Sequence, residues 1–289
     1  MIRSAILIIL LFSCLAVNGQ DNSKDHSLFN TALEQEAFRY PDCKKDTLPF
    51  LMVYDSTLDS KKYQEIQNSL NLFVRQLETR KSKFRTDANF IRFVFRKTHR
   101  RYLGSYVRYG AFNELFYTRN YNCLSGTALY AYILGQLNFE VRISETKVHS
   151  FLTILQNGKV EFLIEATDPY NGFVRGEEKV FERIEEYQRK ERAIASDSIA
   201  ISVQRYPAIT QIQLKELAGL HYFNIAVVDF NNSNYGESLI CLRKAEILYP
   251  DSQRIKDLIQ FINSQSGSRA RIEGYYTKKN LNKLTQNLK

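Results

Sequence analysis

Tryptophan is missing from the sequence, so the large apolar groups of any core must come from its 18 tyrosines and 19 phenylalanines. Histidine is scarce: His26, His99, His149 and His221 stand far apart, and no Cys-x-x-Cys pair accompanies them. A structural zinc site is therefore not expected, and nothing calls for a cofactor. Beyond residue 19 no apolar run is long enough to span a bilayer. Low-complexity tracts are absent, and the composition is that of an ordinary globular protein. The 289 residues suffice for a sizeable core and two domains.

Residues 1–19 read as a signal peptide. Arg3 supplies the positive start, and Ala5 to Ala16 form an apolar stretch too short to cross a membrane. Val17 and Gly19 place small residues before a cut at Gln20. Lipid attachment at Cys14 is the alternative; Leu11 and Ser13 suit it, whereas Phe12 and Leu15-Ala16-Val17 do not. The expected location is outside the cytoplasm, periplasmic or extracellular. Loss of Cys14 leaves Cys43, Cys123 and Cys241, an odd number. At least one thiol then stays free where thiols tend to be oxidised.

The formal charge is +9, lowered by one when Arg3 leaves. Ten cations fall between Arg80 and Arg108, interleaved with Phe84, Phe90, Phe93, Phe95, Tyr102 and Tyr106. An exported protein rarely meets nucleic acid, and these aromatics recur at helical spacing. The stretch reads as a basic solvated face over a core stripe, with peripheral contact to anionic envelope components as the second reading.

Residues 20–48 form a polar N-terminal arm. From Asp59, which can cap, Tyr63, Ile66, Leu70, Phe73, Val74 and Leu77 mark one face of a helix. Asp87 can cap the next helix, whose stripe is Phe90, Ile91, Val94, Phe95 and Tyr102. Leu124 to Leu137 is apolar nearly all round, the mark of a buried central helix ended by Gly135 and Asn138. Asn157-Gly158 between Ser150–Leu155 and Val160–Ala166 is a strong hairpin signal. Residues 177–212 read as a helical linker, with Val180, Ile184 and Tyr187 as the stripe of its charged helix. A helical hairpin with a capping helix follows over 213–264, its first helix turning Leu217, Tyr222, Ile225 and Ala226 inward. Residues 265–289 are a basic tail.

Cys123, His149 and a carboxylate on the next strand are the parts of a cysteine nucleophile site. Cys123 opens the buried helix, where the positive end of the dipole favours a thiolate. His149, at the head of the hairpin strand, would form the imidazolium partner, and a carboxylate would orient the ring. Two candidates compete for that last role. With a two-residue turn at Asn157-Gly158, His149 faces Ala166 and shares its side of the sheet with Asp168, Phe151 and Phe162. A three-residue turn with a bulge would reverse the parity and favour Glu165. Cys241 and Cys43 read as structural, His221 as surface or packing, and Tyr121 as a lining residue of the cleft.

Residues 119–172 resemble the transglutaminase-like branch of the papain-type cysteine peptidase superfamily. The likeness rests on Asn122-Cys123 opening a helix with Gly126 and Ala128, on Val141-Arg142-Ile143, on His149 leading a strand, and on Phe162-Leu163-Ile164-Glu165-Ala166-Thr167. Ser150-Phe151 stands where that family has an aromatic pair, and Glu165 stands where its acid is normally Asp. The resemblance implies an α+β fold over 49–176, a Cys-bearing helix packed on a small antiparallel sheet. It also implies Glu165 as the third site residue, with Asp168 as the alternative. Tyr222, Ile225, Ala226, Tyr235, Leu242, Ala245 and Pro250 resemble a tetratricopeptide repeat, which implies a protein partner through residues 214–250. The function expected is a thiol enzyme hydrolysing an amide or peptide bond of a peptide or protein substrate. The alternatives are a catalytically weakened module that presents a peptide groove, and a structural envelope protein that uses its basic face.

Overall fold

A computed structural model describes residues 28–39, 41, 47–52, 58–146, 149–197 and 209–266. The expected signal peptide with Cys14, residues 20–27, 40 and 42–46 of the polar arm with Cys43, and the tail from residue 267 lie outside the described residues. In chain order the elements are α1 (Ala32–Phe38), α2 (Leu48–Met52), α3 (Ser60–Lys81), α4 (Asp87–Tyr102), β1 (Ser105–Tyr106), α5 (Glu114–Tyr117), β2 (Asn120–Tyr121), α6 (Cys123–Gln136), β3 (Glu140–Glu145), β4 (Ser150–Gln156), β5 (Lys159–Ile164), β6 (Phe173–Arg175), α7 (Glu177–Asp197), β7 (Thr210–Ile212), α8 (Leu214–Asn231), α9 (Tyr235–Leu248) and α10 (Gln253–Ser266). Helices dominate, around one small antiparallel sheet.

The sheet has five strands in the order β6-β5-β4-β3-β7. β3, β4 and β5 follow one another as a meander, and β7 returns from beyond α7 to pair with β3. The stretch expected to be a linker thus holds a strand of this sheet and a helix, α7, packed on β5 and β6. α6 covers the opposite face, against β3 and β4. Eleven of its fourteen residues are buried, as the apolar sequence requires. A Cβ on Gly126 would stand 2.6 Å from that of Ala166, so glycine is what lets helix and sheet approach there. Asn138 ends α6 in the left-handed region at φ 63. Its N–H and that of Phe139 bond back to Gly135 and Leu134, satisfying carbonyls the helix leaves open.

Of the expected stripes of α3 and α4, Tyr63 is half-buried, while those from Ile66 to Leu77 and from Phe90 to Tyr102 are buried. Thr86, not Asp87, caps α4: its hydroxyl accepts from Asn89 N at 3.3 Å, and Asp87 begins the helix as its first-turn acid. The basic face lies over aromatics, with Lys81 4.7 Å from the Phe139 ring and Arg101 4.9 Å from Phe73.

α8 and α9 form the helical hairpin, and α8 also packs on α6 and α2. Leu217, Tyr222 and Ala226 are buried as expected, whereas Ile225 is half-buried. Two charged groups anchor this layer. Lys244 Nζ pairs with Glu34 Oε1 at 2.8 Å, and both side chains are buried. Tyr222 donates to the same oxygen at 2.9 Å, which ties α1 to the hairpin. Among the described residues, no helix is long and apolar enough to cross a membrane.

Candidate active site

Asn122 builds the entrance to α6. Its side chain accepts from Ser125 N, and the Ser125 hydroxyl accepts from Asn122 N, both at 2.9 Å. The Asn122 amide donates onward to the Arg108 and Gly110 carbonyls. This fixes the preceding chain and leaves Cys123 as the first helical residue. The N–H groups of Cys123 and Leu124 make no hydrogen bond among the described residues. They point where an anion at the helix start would sit.

The β4–β5 turn settles which carboxylate faces His149. Asn157 and Gly158 both take positive φ, at 52 and 76, in the two-residue turn that the sequence signals. Gln156 pairs with Lys159 and Leu155 with Val160, but Ile154 pairs with Phe162. A bulge at Glu161 therefore follows the tight turn and reverses the parity beyond it. The simple two-residue register is corrected by this extra residue. Phe151 packs with Leu163, Val180 and Tyr187 on the α7 side, while Phe162 belongs to the main core on the α6 side. Glu165 shares the α7 side with Phe151 and His149.

Accordingly His149 Nε2 bonds Glu165 Oε2. Asp168 turns elsewhere: its Oδ1 accepts from the backbone of Tyr170 and Asn171, and its Oδ2 lies 3.9 Å from Arg183. The alternative acid thus stands outside the relay, held by its own Asx turn. Gly172 closes that turn: a Cβ there would fall 2.2 Å from the Glu165 carbonyl oxygen.

Four donors converge on the Glu165 carboxylate. Oε1 accepts from Thr167 N at 2.9 Å and Thr167 Oγ1 at 2.6 Å. Oε2 accepts from His149 and from the Tyr187 hydroxyl at 2.8 Å. Two donors per oxygen fill the acceptor sites of an ionised carboxylate, a set a protonated acid could not accommodate. Burial alone would raise the Glu165 pKa; the His149 and Thr167 bonds outweigh it and hold the group down at about 2.

With Nε2 committed to Glu165, Nδ1 is the ring nitrogen left for the thiol. Burial disfavours the His149 cation, but the interactions with Cys123 and Glu165 reverse this and raise its pKa to about 10. Burial likewise pushes the Cys123 thiol up, and the His149 and Ser150 interactions overcome it, so the thiol is more acidic than usual. These opposite shifts, each caused in part by the other group, favour a thiolate–imidazolium pair.

The three residues that the sequence singled out, Cys123, His149 and Glu165, are thus brought together. Ser150, Tyr187 and Tyr106 were not singled out. Tyr187 stood in the stripe of α7, where a hydroxyl among Val180 and Ile184 was the available signal. Tyr121, expected to line the cleft, is buried edge-on to Tyr106 at 6.0 Å, and Tyr106 holds the exposed place. Cys241 is half-buried in α9, and burial pushes its thiol up to about 12, which disfavours the thiolate. His221 is buried, and its pKa is lowered to about 4. No group of three or more metal-binding side chains occurs among the described residues. Set against known proteins, the chain matches no family model, no curated protein and no solved structure.

Proposed function

We propose that the protein is a thiol acyl-transfer enzyme of the transglutaminase-like type, acting on amide or peptide bonds through a thioester. The observation that supports this reading above others is the Cys123–His149–Glu165 relay, with its carboxylate filled by four donors. The Cys123 thiolate attacks the carbonyl carbon, and the oxygen takes up negative charge beside the Cys123 and Leu124 N–H groups. The intermediate collapses as His149 gives its proton to the departing amine, leaving a thioester on Cys123. Water then attacks that carbonyl while His149 accepts its proton; the C–S bond breaks and the thiolate returns. Glu165 keeps its charge throughout and holds the ring.

The finer fold reading rests on similar ground. α6 packed on the meander, with Gly126 against Ala166, supports a papain-like core. Buried Tyr222, Ala226, Leu242 and Ala245 support the tetratricopeptide-like reading of α8 and α9 as a partner-binding segment, whereas exposed Tyr235 departs from it.

Intact-protein mass after incubation with a peptide p-nitrophenyl ester tests the chemistry. The expected adduct is one acyl group on Cys123, released by hydroxylamine. Cys123→Ala should form none, and His149→Ala should acylate at least about a hundredfold more slowly. An adduct equal in all three proteins would refute the reading.

A further inference from the structure

α4 carries its cations on a ridge between two grooves. On one side, a groove of about 430 Å³ is lined by Phe84, Asn89 and Phe93 with Arg92, Arg96, Lys97 and Arg100. On the other, a groove of about 330 Å³ shares Arg92 and Arg96 and adds Tyr170, Phe173, Arg175 and Lys179. Among the described residues, no Asp or Glu lines either groove. Arg175 pairs with Glu161 at 3.7 Å, but Arg92, Arg96, Lys97, Arg100 and Lys179 make no ion pair among the described residues. Among the described residues, Arg92 lies 5.2 Å from the Phe173 ring and Lys97 5.8 Å from the Phe93 ring.

The second groove is joined to the candidate active site through one loop. Its wall, Tyr170 to Phe173, is the loop that follows Glu165 and returns to it, with Glu165 N donating to Gly172 O at 2.8 Å. Tyr170, at its rim, is 90% exposed. A further cation, Arg108, lies beside Tyr106 on the approach to Cys123, and its buried Nε and Nη2 have no hydrogen-bond partner.

We propose that these grooves bind an acidic, aromatic-containing segment of the polypeptide substrate, carboxylates on the Arg92–Arg96 ridge and apolar side chains on the phenylalanine floors. This rests on the acyl-transfer reading for the word substrate, though binding itself does not require a competent thiol. Charge complementarity selects an anion. Shape selects a chain: Tyr170 stands at the rim, but the phenylalanine rings are recessed between the cations, Phe93 half-buried and Phe95 fully. A membrane-binding face would instead present apolar side chains outward, between cations, to the acyl chains. An extended peptide alternates its side chains and so fits a cationic rim over an apolar floor.

The probe is a fluorescein-labelled dodecapeptide of alternating Glu and Phe, titrated against the full chain carrying Cys123→Ala. Saturable binding is expected, weakened by added salt and at least about tenfold weaker in Arg92→Glu/Arg96→Glu. The Lys/Phe counterpart should not bind. Equal affinity in the charge-reversed protein overturns the proposal. So does capture by phosphatidylglycerol vesicles without peptide binding, which would make the ridge a lipid surface. Arg92→Glu/Arg96→Glu on the wild-type background should alkylate at Cys123 with iodoacetamide at the wild-type rate, which reports an intact fold. A wild-type thiol that does not alkylate while the peptide still binds would refute the enzyme reading and leave the groove standing.

Discussion

Tyr187 reaches back 22 residues to donate its hydroxyl to Glu165 Oε2 at 2.8 Å. The same ring lies 5.4 Å from the His149 ring and 4.9 Å from Phe151. A helix that reads as a connection therefore completes the candidate site. Burial and the Glu165 charge push the Tyr187 pKa well up, so the phenol stays protonated and its O–H donates to the carboxylate, while its oxygen accepts from Arg183.

Tyr187→Phe keeps the ring contacts and removes that donor. A hydrogen bond to a charged group is worth about 1.5–3 kcal/mol, so acylation should slow by at least about tenfold. As a positioning residue, Tyr187 should affect the acylation rate constant and not the half-saturating substrate concentration. Rates measured across substrate concentrations separate the two.

The pH profile follows from the pair. Activity needs thiolate and imidazolium together, so it should rise through a thiol pKa below the ordinary 9.0 and fall as His149 loses its proton near pH 10. Glu165→Gln removes the charge that helps hold His149 protonated, and the alkaline limb should move toward neutrality. Stability obeys the same linkage. Glu165, lowered from 4.5 to about 2, contributes above pH 4.5, and this is lost as pH falls through 2. His149, raised from 6.5 to about 10, contributes below pH 6.5, and this is lost as pH rises through 10. The difference in Tm between wild type and Glu165→Gln should be largest between pH 4.5 and 6.5 and shrink on both sides.

Arg254 connects the C-terminal helices to the loop that carries His149. Its Nη2 lies 3.2 Å from Glu145 Oε2 and 3.1 Å from Thr146 O, while Thr146 N donates to His149 O at 2.8 Å. Tyr249 donates to the other Glu145 oxygen at 2.8 Å. Arg254→Ala removes a cation from a buried carboxylate and should destabilise by about 3 kcal/mol. The double variant Glu145→Gln/Arg254→Met should recover most of that stability, yet acylate more slowly than wild type because the His149 loop loses its tie. Denaturant unfolding and acylation rates, measured on both proteins, check the two halves.

Much of this arrangement is legible in the residues. The apolar run of α6 and the stripes of α3 and α4 state their burial directly, and Asn157-Gly158 states its turn. Asn122 and Cys123 mark the helix start. What could not be read depends on contacts between distant segments. The bulge at Glu161 carries no glycine or proline to announce it, yet it decides whether Glu165 or Asp168 faces His149. Glu34 and Lys244 look like solvated charges and are instead a buried pair joining the two ends of the described chain. Tyr187 looks like one more stripe residue, because periodicity records the face a side chain occupies and not the bond its hydroxyl makes.

The pH dependence of Cys123 alkylation by iodoacetamide, followed by peptide mass mapping in wild type and His149→Ala, tests the thiolate–imidazolium pair most directly. The wild-type rate should titrate below pH 9, with the midpoint moving up in His149→Ala because burial then acts on the thiol without its cation. One midpoint for both proteins, at or above pH 9, would contradict the pair and the acyl-transfer reading built on it.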